Sequence, residues 1–549
     1  LLKAAMRFRL PWSAAHPHAG AVPLAISRTP RLLVASLVAA CGSNSVDGPA
    51  HGSDGNAAID GSTATVAHGT PVGLDSGWPE SGQLDARTTT PADGGAGAET
   101  SDAANVAIGA PDAGALAHDS GTASEAGAPD GSSMANAADG SASDAARPDG
   151  GATTAFVTRK GLQFDDGGKR YVFVGTNFWP GMNLGAASAP GDQARLVREL
   201  DRLQALGVTN VRVLASSQGP DTEPYRVVPS LVTQPGTYNE TVFRGLDFLL
   251  DALARRGMRG VMILNNYWEW SGGMAQYVSW AGNSKIPYRL APGGSYATFV
   301  QYVDTFYACA ACQTQYRDDI AALVHRVNTV NGRTYRDDPA IFSWELANEP
   351  RDYPPTWIND TAQYIKSIDT NHMITVGSEG SWGADFVATH QSQYVDYTTC
   401  HIWVENWSKY DPQDPSGTSL ASATAFAVGY LNQHDGAARQ LGKPLVLEEF
   451  GLARDGWTAG GKFDPAATVT HRDGYYQSLY GVVTASLTAG QGALAGDNFW
   501  AWAGEVRPPS KLAGDPPHET SGWYSIYDAD TSTTRLISAH ANAVRAFAH

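Results

Sequence analysis

Two short apolar runs, a hundred residues apart, each end in a glutamate. The first, Ile341–Ala347, leads into Asn348-Glu349-Pro350, and the second, Leu445–Leu447, leads into Glu448-Glu449. Runs of this length and apolarity are typical of strands that are buried on both faces of a parallel sheet. A parallel barrel brings the C-terminal ends of different strands together at one face. We therefore expect the two glutamates to meet at that face.

Similar runs alternate with stretches of helical periodicity throughout residues 153–549. The predicted strands are Tyr171–Asn177, Val208–Leu214, Gly260–Asn265, the Ile341 run, Met373–Gly377, Tyr397–Trp403, the Leu445 run and Asp497–Trp502. The clearest helical stretches are Gln193–Leu206, Phe243–Arg256 and Asp318–Asn328. Strands that alternate with helices indicate a parallel sheet. Eight such units predict a closed (β/α)8 TIM barrel, an α/β fold, rather than an open sheet.

Side-chain alternation distinguishes between Glu448 and Glu449, because successive side chains of a strand point to opposite faces. If Leu445 and Leu447 fill the barrel, Glu449 points inward at its mouth. Val446 and Glu448 then face the helices, which gives Glu448 a structural role. The same count on the fourth strand places Glu349 inward and assigns to the helical side Phe342, Trp344 and Leu346.

Two carboxylates at the mouth of a barrel are what glycoside hydrolysis uses, one as the acid and one as the nucleophile or base. The tripeptide around Glu349 would also suit a simple turn, because Asn and Pro are common turn formers. Arg212, at the end of the second strand, could form a structural ion pair or hold Glu449 ionised by its opposite charge. His401, at the end of the sixth, could be a core residue, but the polar and aromatic residues after it favour a site.

Tryptophans are numerous in the segments that follow the predicted strands. Aromatic faces can stack on the apolar C–H faces of sugar rings, although most of these indoles would also suit a core. Trp500 is our first candidate for a platform under the sugar that is cleaved. The set comprises Trp179, Trp268, Trp270, Trp357, Trp382, Trp407, Trp500 and Trp502.

Residues 42–152 have a different composition, dominated by Ala, Gly, Ser, Asp, Thr and Pro. They contain too few large apolar residues to offset the entropy of ordering, so we expect a disordered linker. This segment carries 16 Asp and Glu against 2 Arg, and thus most of the formal net charge of −17. The acidity therefore belongs to the linker, and the chain has no basic footprint for nucleic acid.

Residues 1–41 are typical of an export signal. A short apolar run follows Arg28 and Arg31 and ends at Cys41, and it is too short to span a bilayer. Val38-Ala39-Ala40-Cys41 resembles a bacterial lipobox, which predicts a lipid-anchored protein on the outer membrane or cell surface; the alternative is an ordinary signal peptide and a secreted protein. Cys41 would be the only membrane contact.

The other three cysteines do not form a metal-binding pattern. Cys309 and Cys312 form a lone C-x-x-C, and Cys400 stands apart. A zinc site would need a second pair of ligands, and none is visible in the sequence. In an exported protein we expect a local disulfide at the C-x-x-C.

The globular part resembles the family 5 glycoside hydrolases and, within them, the endo-β-1,4-mannanases. The motifs that carry the resemblance are Phe156–Arg159, Phe173–Asn177, Trp344–Arg351, His401–Trp403, Glu448–Gly451 and Phe499–Trp502. They cover nearly all of residues 155–549 and none of the linker. The resemblance implies retaining hydrolysis of internal β-1,4-mannosidic bonds in mannan, glucomannan or galactomannan, with no metal or organic cofactor, and we expect a monomer.

The resemblance also implies a role for individual residues. Glu349 would be the acid/base, kept protonated by its surroundings, and Glu449 the nucleophile. Asn348 would bind the sugar 2-hydroxyl, while Arg212 and His401 would organise the site.

Further substrate contacts are expected from Arg351, on the leaving-group side, and from Trp500, Trp403 and Trp179. Many family members have a tyrosine where Trp403 stands, next to the nucleophile, so that hydroxyl is missing here. Two other functions remain open: another family 5 activity, such as a β-1,4-glucanase or exo-β-mannosidase, and a non-catalytic surface glycan-binding protein. The second is disfavoured because a pure binder has no need of both carboxylates.

Overall fold

The computed structural model describes residues 155–458, 461–510 and 512–548. Its strands are β1 (Val157–Lys160), β2 (Gln163–Asp166), β3 (Lys169–Tyr171), β4 (Phe173–Asn177), β5 (Asn210–Leu214), β6 (Val232–Gln234), β7 (Thr237–Tyr238), β8 (Arg259–Ile263), β9 (Ile341–Glu345), β10 (Met373–Thr375), β11 (Thr398–Ile402), β12 (Leu445–Phe450), β13 (Leu494–Phe499), β14 (Trp502–Gly504) and β15 (Ile526–Tyr527). Its helices are α1 (Gly181–Leu184), α2 (Gln193–Leu206), α3 (Glu240–Ala254), α4 (Gly273–Gly282), α5 (Tyr296–Val303), α6 (Thr305–Ala308), α7 (Ala310–Val324), α8 (Pro355–Ile368), α9 (Ala384–His390), α10 (Thr418–Leu441), α11 (Thr470–Thr488) and α12 (Thr531–Arg545).

Eight parallel strands form the central sheet, in the order β10-β9-β8-β5-β4-β13-β12-β11. Its two outer strands, β10 and β11, come together through single contacts rather than a ladder. The Asp396 N–H donates to the Ile374 carbonyl at 2.8 Å, and the Thr375 hydroxyl donates to the Tyr397 carbonyl at 3.1 Å. Helices follow the strands on the outside, and the (β/α)8 barrel predicted from the sequence is confirmed.

Each of the eight predicted strands has a counterpart in the structure, but several bounds differ. The predicted first strand Tyr171–Asn177 is divided into β3 and β4, and the predicted helix Asp318–Asn328 is α7, which begins at Ala310 and ends at Val324. The eighth strand differs most. The expected strand Asp497–Trp502 is β13, which begins three residues earlier and ends at Phe499. A cis peptide between Trp500 and Ala501 follows, and Trp502 begins the separate strand β14. In contrast, α2 has the predicted bounds, because Asp192 caps its first turn and Gly207 ends it in the left-handed conformation.

The base of the barrel is filled by aromatic side chains. Phe164, on the antiparallel sheet β1-β2-β3, reaches the barrel strands with ring centroids 5.0 Å from Phe342 and 5.4 Å from Tyr397. Phe173 packs against Phe342 at 5.4 Å. The N-terminal ends of the strands are thus closed by a dry core, and only the opposite ends remain available for a site.

Two register breaks overturn part of the predicted side-chain alternation. Between β8 and β9 the register shifts at Phe342, which lies in the interior core instead of against the helices. Trp344 does face the helical side, where its indole N–H donates at 2.7 Å to Asp369, the C-cap residue that follows α8. A β-bulge places two consecutive residues on the same side of a strand, and this accounts for the difference at Phe342.

The second break lies between β11 and β12, where Cys400 pairs with Leu447 but His401 pairs with Glu449. Val446 belongs to the interior core, which is the reverse of the prediction. Glu448 also points inward, to the imidazole of His401. The expectation that Val446 and Glu448 face the helices is therefore wrong, and both glutamates enter the barrel.

Cys309 and Cys312 form the predicted local disulfide at the start of α7, while Cys400 is a buried free thiol. None of the helices in the described ranges is both long and apolar enough to cross a bilayer. The predicted signal segment, residues 1–41, and linker, residues 42–152, lie outside the described residues.

Candidate active site

Arg212 is the centre of the site at the C-terminal ends of the strands. Its guanidinium is fully buried and forms a bidentate ion pair with Glu345. Nε donates to Oε2 at 2.8 Å, and Nη2 donates to Oε1 at 2.5 Å. It also donates to Glu449, to Asn177 at 3.0 Å and to Asn348 at 2.8 Å. These partners come from three strands, namely β4, β9 with the loop after it, and β12, so a single cation fixes their relative positions.

Glu349 lies on the loop after β9, with its backbone in the left-handed conformation (φ 48°). The Trp268 indole donates to its Oε2 at 2.6 Å, and His401 Nδ1 lies 2.8 Å from its Oε1. A glutamate seldom adopts this backbone conformation, and such strain is concentrated at functional sites. The two side-chain contacts hold the carboxylate toward the barrel axis.

His401 connects three carboxylates. Its Nδ1 lies 2.8 Å from Glu349 and 3.3 Å from Glu449, and its Nε2 lies 3.2 Å from Glu448. Burial disfavours the charged imidazole, but the surrounding carboxylates, Glu449 first among them, raise the pKa of His401 to about 10. The ring therefore carries a proton on each nitrogen at neutral pH.

The protonation of Glu349 differs from the expectation. Burial favours the neutral acid, yet the hydrogen bond and charge of His401, aided by Arg351 and Trp268, lower the pKa of Glu349 to about 2. Both shifts favour His401 over Glu349 as the holder of the shared proton in the ligand-free site. Transfer across the 2.8 Å contact would give a neutral imidazole and the protonated carboxyl that acid catalysis needs.

Glu449 accepts hydrogen bonds from two donors. Besides Arg212, the Trp403 indole N–H donates to its Oε2 at 3.1 Å. Burial raises the pKa of Glu449 above its ordinary value, while His401 and Arg212 act in the opposite direction. Trp403 supplies the donor that the missing tyrosine hydroxyl would provide, and it is held by edge-on contact with Trp500, with ring centroids 5.6 Å apart.

The two candidate carboxylates are close together. One oxygen of Glu349, one of Glu449 and a nitrogen of His401 all lie within 4.8 Å of one another. This is shorter than the gap of about 6.5–9.5 Å that inverting glycosidases leave for a water. The same three groups could ligate a cation, but Arg212, Trp268 and Trp403 already donate hydrogen bonds to the carboxylates. The arrangement suits an attacking carboxylate opposite a proton donor.

A second charged group adjoins Glu349. Arg351 pairs with Glu379, and its guanidinium lies 5.2 Å from the ring centroid of Trp268. Burial raises the pKa of Glu379 to about 7, although Arg351 lowers it and the Trp407 indole donates to it at 3.0 Å. The side chains of Arg351 and Glu379 are 17% and 16% exposed, so they face the opening beside Glu349.

The tryptophans expected at the site have different positions. Trp500 lies beside Trp403 at the mouth and is 5% exposed. Trp179 is 1% exposed, its indole donates to the Gly514 carbonyl at 2.8 Å, and its ring packs edge-on against Trp270. Trp179 therefore supports the wall of the site from behind and does not present a face to substrate, in contrast to the prediction.

Sequence reasoning missed Glu345 and Glu379, and it named Trp268 only as one of eight tryptophans that could stack on sugar, without a contact to Glu349. Glu345 is the last residue of β9, four residues before Glu349, and its side chain points inward to Arg212. Alternation along β9 predicts this direction once the register break is known. Gly377 gives it room, because a Cβ there would lie 2.3 Å from a Glu345 oxygen. Trp268 and Glu379 lie in irregular loops, where no periodicity indicates direction.

Comparison with known proteins agrees with this geometry. Residues 154–549 match the family described as GH family 5 beta-mannosidase-like, and the chain belongs to glycoside hydrolase family 5. The protein named mannan endo-1,4-beta-mannosidase 1 from Arabidopsis thaliana is 30% identical over 373 residues, covering 63% of this chain and 82% of that protein.

Two solved structures from Rhizomucor miehei are also similar. Its glycoside hydrolase family 5 mannosidase is 40% identical, with a TM-score of 0.68, and covers 72% of this chain and 99% of its own. Its endo-1,4-beta-mannanase is 26% identical, with a TM-score of 0.51, and covers 71% of this chain and 100% of its own.

Replacing the Trp403 indole tests its hydrogen bond to Glu449. Trp403→Phe removes the donor, which favours the neutral carboxyl and raises the pKa of Glu449. Hydrolysis is expected to need Glu449 in its ionised form. As the pH is lowered, the variant should therefore lose activity at a higher pH than the wild type does. Losing a hydrogen bond to a charged group costs about 1.5 kcal/mol, or roughly one pH unit in the acid limb of kcat/KM.

Trp403→Tyr is the matched control, because its hydroxyl can still donate, and its acid limb should remain near that of the wild type. Identical acid limbs in the phenylalanine variant and the wild type would contradict the assigned hydrogen bond.

Proposed function

We propose that this enzyme is a retaining endo-β-1,4-mannanase that cleaves internal bonds of mannan, glucomannan or galactomannan. The observation that carries the proposal is the pair of buried carboxylates on β12 and after β9, with oxygens within 4.8 Å of each other. Family membership and the mannan endo-1,4-beta-mannosidases among its relatives support the substrate. Carboxylate oxygens this close suit the direct attack of a double displacement.

In the first step Glu449 attacks the anomeric carbon while Glu349 protonates the leaving oxygen. Arg212 and Trp403 hold the Glu449 carboxylate in place through their hydrogen bonds. The proton comes from the pair formed by His401 and Glu349, whose 2.8 Å contact lets it move to the carboxyl as negative charge is drawn from Glu449 into the glycosyl bond. Asn348, fixed by Arg212 and Asn266, is placed to bind the sugar 2-hydroxyl.

In the second step Glu349, now without its proton, acts as the base. It deprotonates the water that attacks the covalent intermediate and so regenerates Glu449. His401 remains hydrogen-bonded on both sides and can take the proton back. Every step uses side chains of this site, and none calls for a metal or an organic cofactor.

An exo-acting β-mannosidase is the second candidate, and a contact between two loops favours it. The ring of His518 stacks on Trp270 at 6.0 Å and 14°, which joins the loop after β14 to the loop after β8. Next to it, burial raises the pKa of Glu519 well above its usual range, and the charges of Asp515 and Glu449 add to this. Loops that meet in this way narrow one end of the cleft, and a family 5 mannosidase is among the similar structures.

Product analysis distinguishes the two activities. An endo-enzyme acting on mannohexaose should release mannobiose and mannotriose in the first few per cent of conversion, and should lower the viscosity of galactomannan rapidly. Release of mannose alone, with little change in viscosity, would establish the exo-enzyme instead. Inactivity on mannans together with hydrolysis of cellulose would contradict both and indicate a β-1,4-glucanase.

The roles of the two glutamates can be separated with azide. Glu449→Ala and Glu349→Ala should each reduce mannan hydrolysis by several orders of magnitude. In Glu449→Ala, azide can enter the space of the lost carboxylate and attack from that side, which gives a product of inverted configuration. In Glu349→Ala the nucleophile remains, so azide should accelerate release of the intermediate and give a retained product.

Glu448→Ala is the control, because Glu448 contacts His401 and lies 3.8 Å from Arg212 without being assigned to the reaction. An inverted azide product from Glu448→Ala, or a retained one from Glu449→Ala, would show that the roles are assigned to the wrong residues.

We further propose that the enzyme acts as a monomer outside the cytoplasm, displayed on the cell surface by lipid at Cys41 and an extended linker. The supporting features are the short apolar run before Cys41 and the composition of residues 42–152. In the native host, Cys41→Ser should move the enzyme from the membrane fraction to the soluble fraction. Unchanged fractionation would rule out the anchor and leave an ordinary secreted protein.

A further inference from the structure

Trp382 is an exposed indole close to the leaving-group side of the site. Its side chain is 49% exposed, and within the described ranges the other exposed large apolar residues are Val327 and Val330. Tryptophan is usually buried to a large extent, so this degree of exposure is uncommon. Trp382 lies on the loop between β10 and α9, three residues after Glu379.

The loop that carries Trp382 is fixed to the helix behind it. The Tyr430 hydroxyl donates to the Gly380 carbonyl at 2.7 Å, and His434 Nε2 lies 2.9 Å from the Ser381 carbonyl. Gly380 has a positive φ of 102°, and a Cβ there would lie 2.7 Å from the Tyr430 oxygen. These contacts define the direction of the loop, so the indole is presented on a rigid support.

The indole of Trp382 is held by three rings of α10. Its plane lies at 89° to that of Tyr430, with centroids 4.7 Å apart, at 67° to that of Phe426 at 6.1 Å, and at 57° to that of His434 at 5.8 Å. None of these three rings stacks in parallel on it. The residue is nevertheless 49% exposed, so part of the indole remains open to solvent.

A continuous set of contacts connects Trp382 to the reacting groups. The backbone N–H of His401 donates to the Glu379 carbonyl at 2.7 Å, and the Glu379 carboxylate binds Arg351 and the Trp407 indole. Trp407 then packs on Tyr430 and Phe426, the two rings that also support Trp382. The side of the site that contains the proton donor therefore extends outward to an exposed aromatic residue.

We propose that Trp382 forms a distal subsite that stacks on a pyranose ring of the leaving-group part of a β-1,4-linked hexose chain. This inference rests on the proposed function. Rings in such a chain present apolar C–H faces, and their hydroxyl groups project from the edges. The Arg351–Glu379 pair can bind the hydroxyl groups of the sugar ring next to the cleaved bond. Trp382 offers only a flat apolar surface, so it can stack on the face of a sugar ring farther along the leaving-group chain.

A scattered surface tryptophan needs no function, and single exposed apolar residues are normal. The fixed loop and the contacts that lead back to Glu379 distinguish Trp382 from that case. Val330 is the matched control residue, because it is also exposed, at 45%, but lies away from the site. It belongs to the segment between α7 and β9, before the N-terminal end of that strand.

The test compares long and short leaving groups in three variants. Trp382→Ala should lower kcat/KM for mannohexaose about tenfold, mainly through KM, because one stacking contact is lost. The same variant should leave kcat/KM for an aryl β-mannobioside within about twofold, since that leaving group is one ring long. Trp382→Phe should recover part of the loss, and Val330→Ala should match the wild type on both substrates.

Binding provides a second readout that does not need turnover. In a Glu349→Ala background, calorimetry with mannohexaose should show affinity about tenfold weaker when Trp382→Ala is added. An equal loss on both substrates, or no loss on mannohexaose, would overturn the subsite. A wild-type enzyme inactive on both substrates would instead overturn the proposed function, and the inference with it.

Discussion

The buried guanidinium of Arg212 is the interaction on which the rest of the site depends. Removing an arginine and three glutamates from water is costly, and a buried ion pair compensates only when its geometry satisfies the remaining donors and acceptors. Here Nε and Nη2 of Arg212 donate to Glu345, and Nη1 donates to both Glu449 and Asn177. Nη2 also donates to Asn348. Because these partners lie on different strands, the cation also joins the strands at their active ends.

The base of the barrel makes this charged layer tolerable. Phe164, Phe173 and Phe342 fill the opposite ends of the strands, and the buried Tyr397 hydroxyl beside them is satisfied by a 2.8 Å hydrogen bond with Ser343. The barrel is thus divided into an aromatic base and a charged layer at the C-terminal ends of the strands. The packed base is rigid, and it supports strained backbone in the charged layer. The left-handed backbone at Glu349 is an example, and its N–H is held by the Gly377 carbonyl at 2.9 Å.

The proton balance of the upper layer follows from His401. One imidazole between three carboxylates carries the proton that Glu349 lacks in the empty site, since the pKa of His401 is raised to about 10 and that of Glu349 is lowered to about 2. The pair thus retains one proton over a wide pH range. If Glu349 is the acid, as proposed, its proton comes through the hydrogen bond to His401 rather than from an apolar pocket that keeps the carboxyl neutral.

The sequence predicted the barrel and the meeting of Glu349 and Glu449 at its mouth for physical reasons that do not extend to the details. Segments with strand periodicity alternate with segments of helical periodicity over the whole domain. Each such unit independently indicates the same fold class. A bulge, in contrast, inserts one residue without any change in composition and reverses every side chain after it. The argument from alternation therefore chose Glu449 while misplacing Val446, Glu448 and Phe342.

Loop residues form the other group that sequence could not place. Trp268 and Glu379 lie on irregular loops, where no strand or helix periodicity predicts the direction of a side chain. Trp179 was expected to contact substrate, but it is buried against Trp270. Trp403 shows the opposite case. Its indole N–H occupies the place expected for a tyrosine hydroxyl, so the chemical requirement for a donor to Glu449 is met by a different residue type.

The two sides of the site differ in their access to solvent, and this asymmetry bears on how a polymer is held. On the Glu449 side Trp403, Trp500 and Tyr524 are each at most 6% exposed and pack on one another. On the Glu349 side exposure rises from 17% at Arg351 to 49% at Trp382.

With the roles proposed for Glu449 and Glu349, the closed wall on one side would enclose the glycone, and the open, aromatic edge on the other would leave the leaving group accessible along its length. Rings that are enclosed can be distorted toward the transition state, and those on the open side can contribute affinity without hindering release. The barrel therefore sets the chemistry, and the loops after β8, β10 and β14 decide how much of the chain is bound on each side.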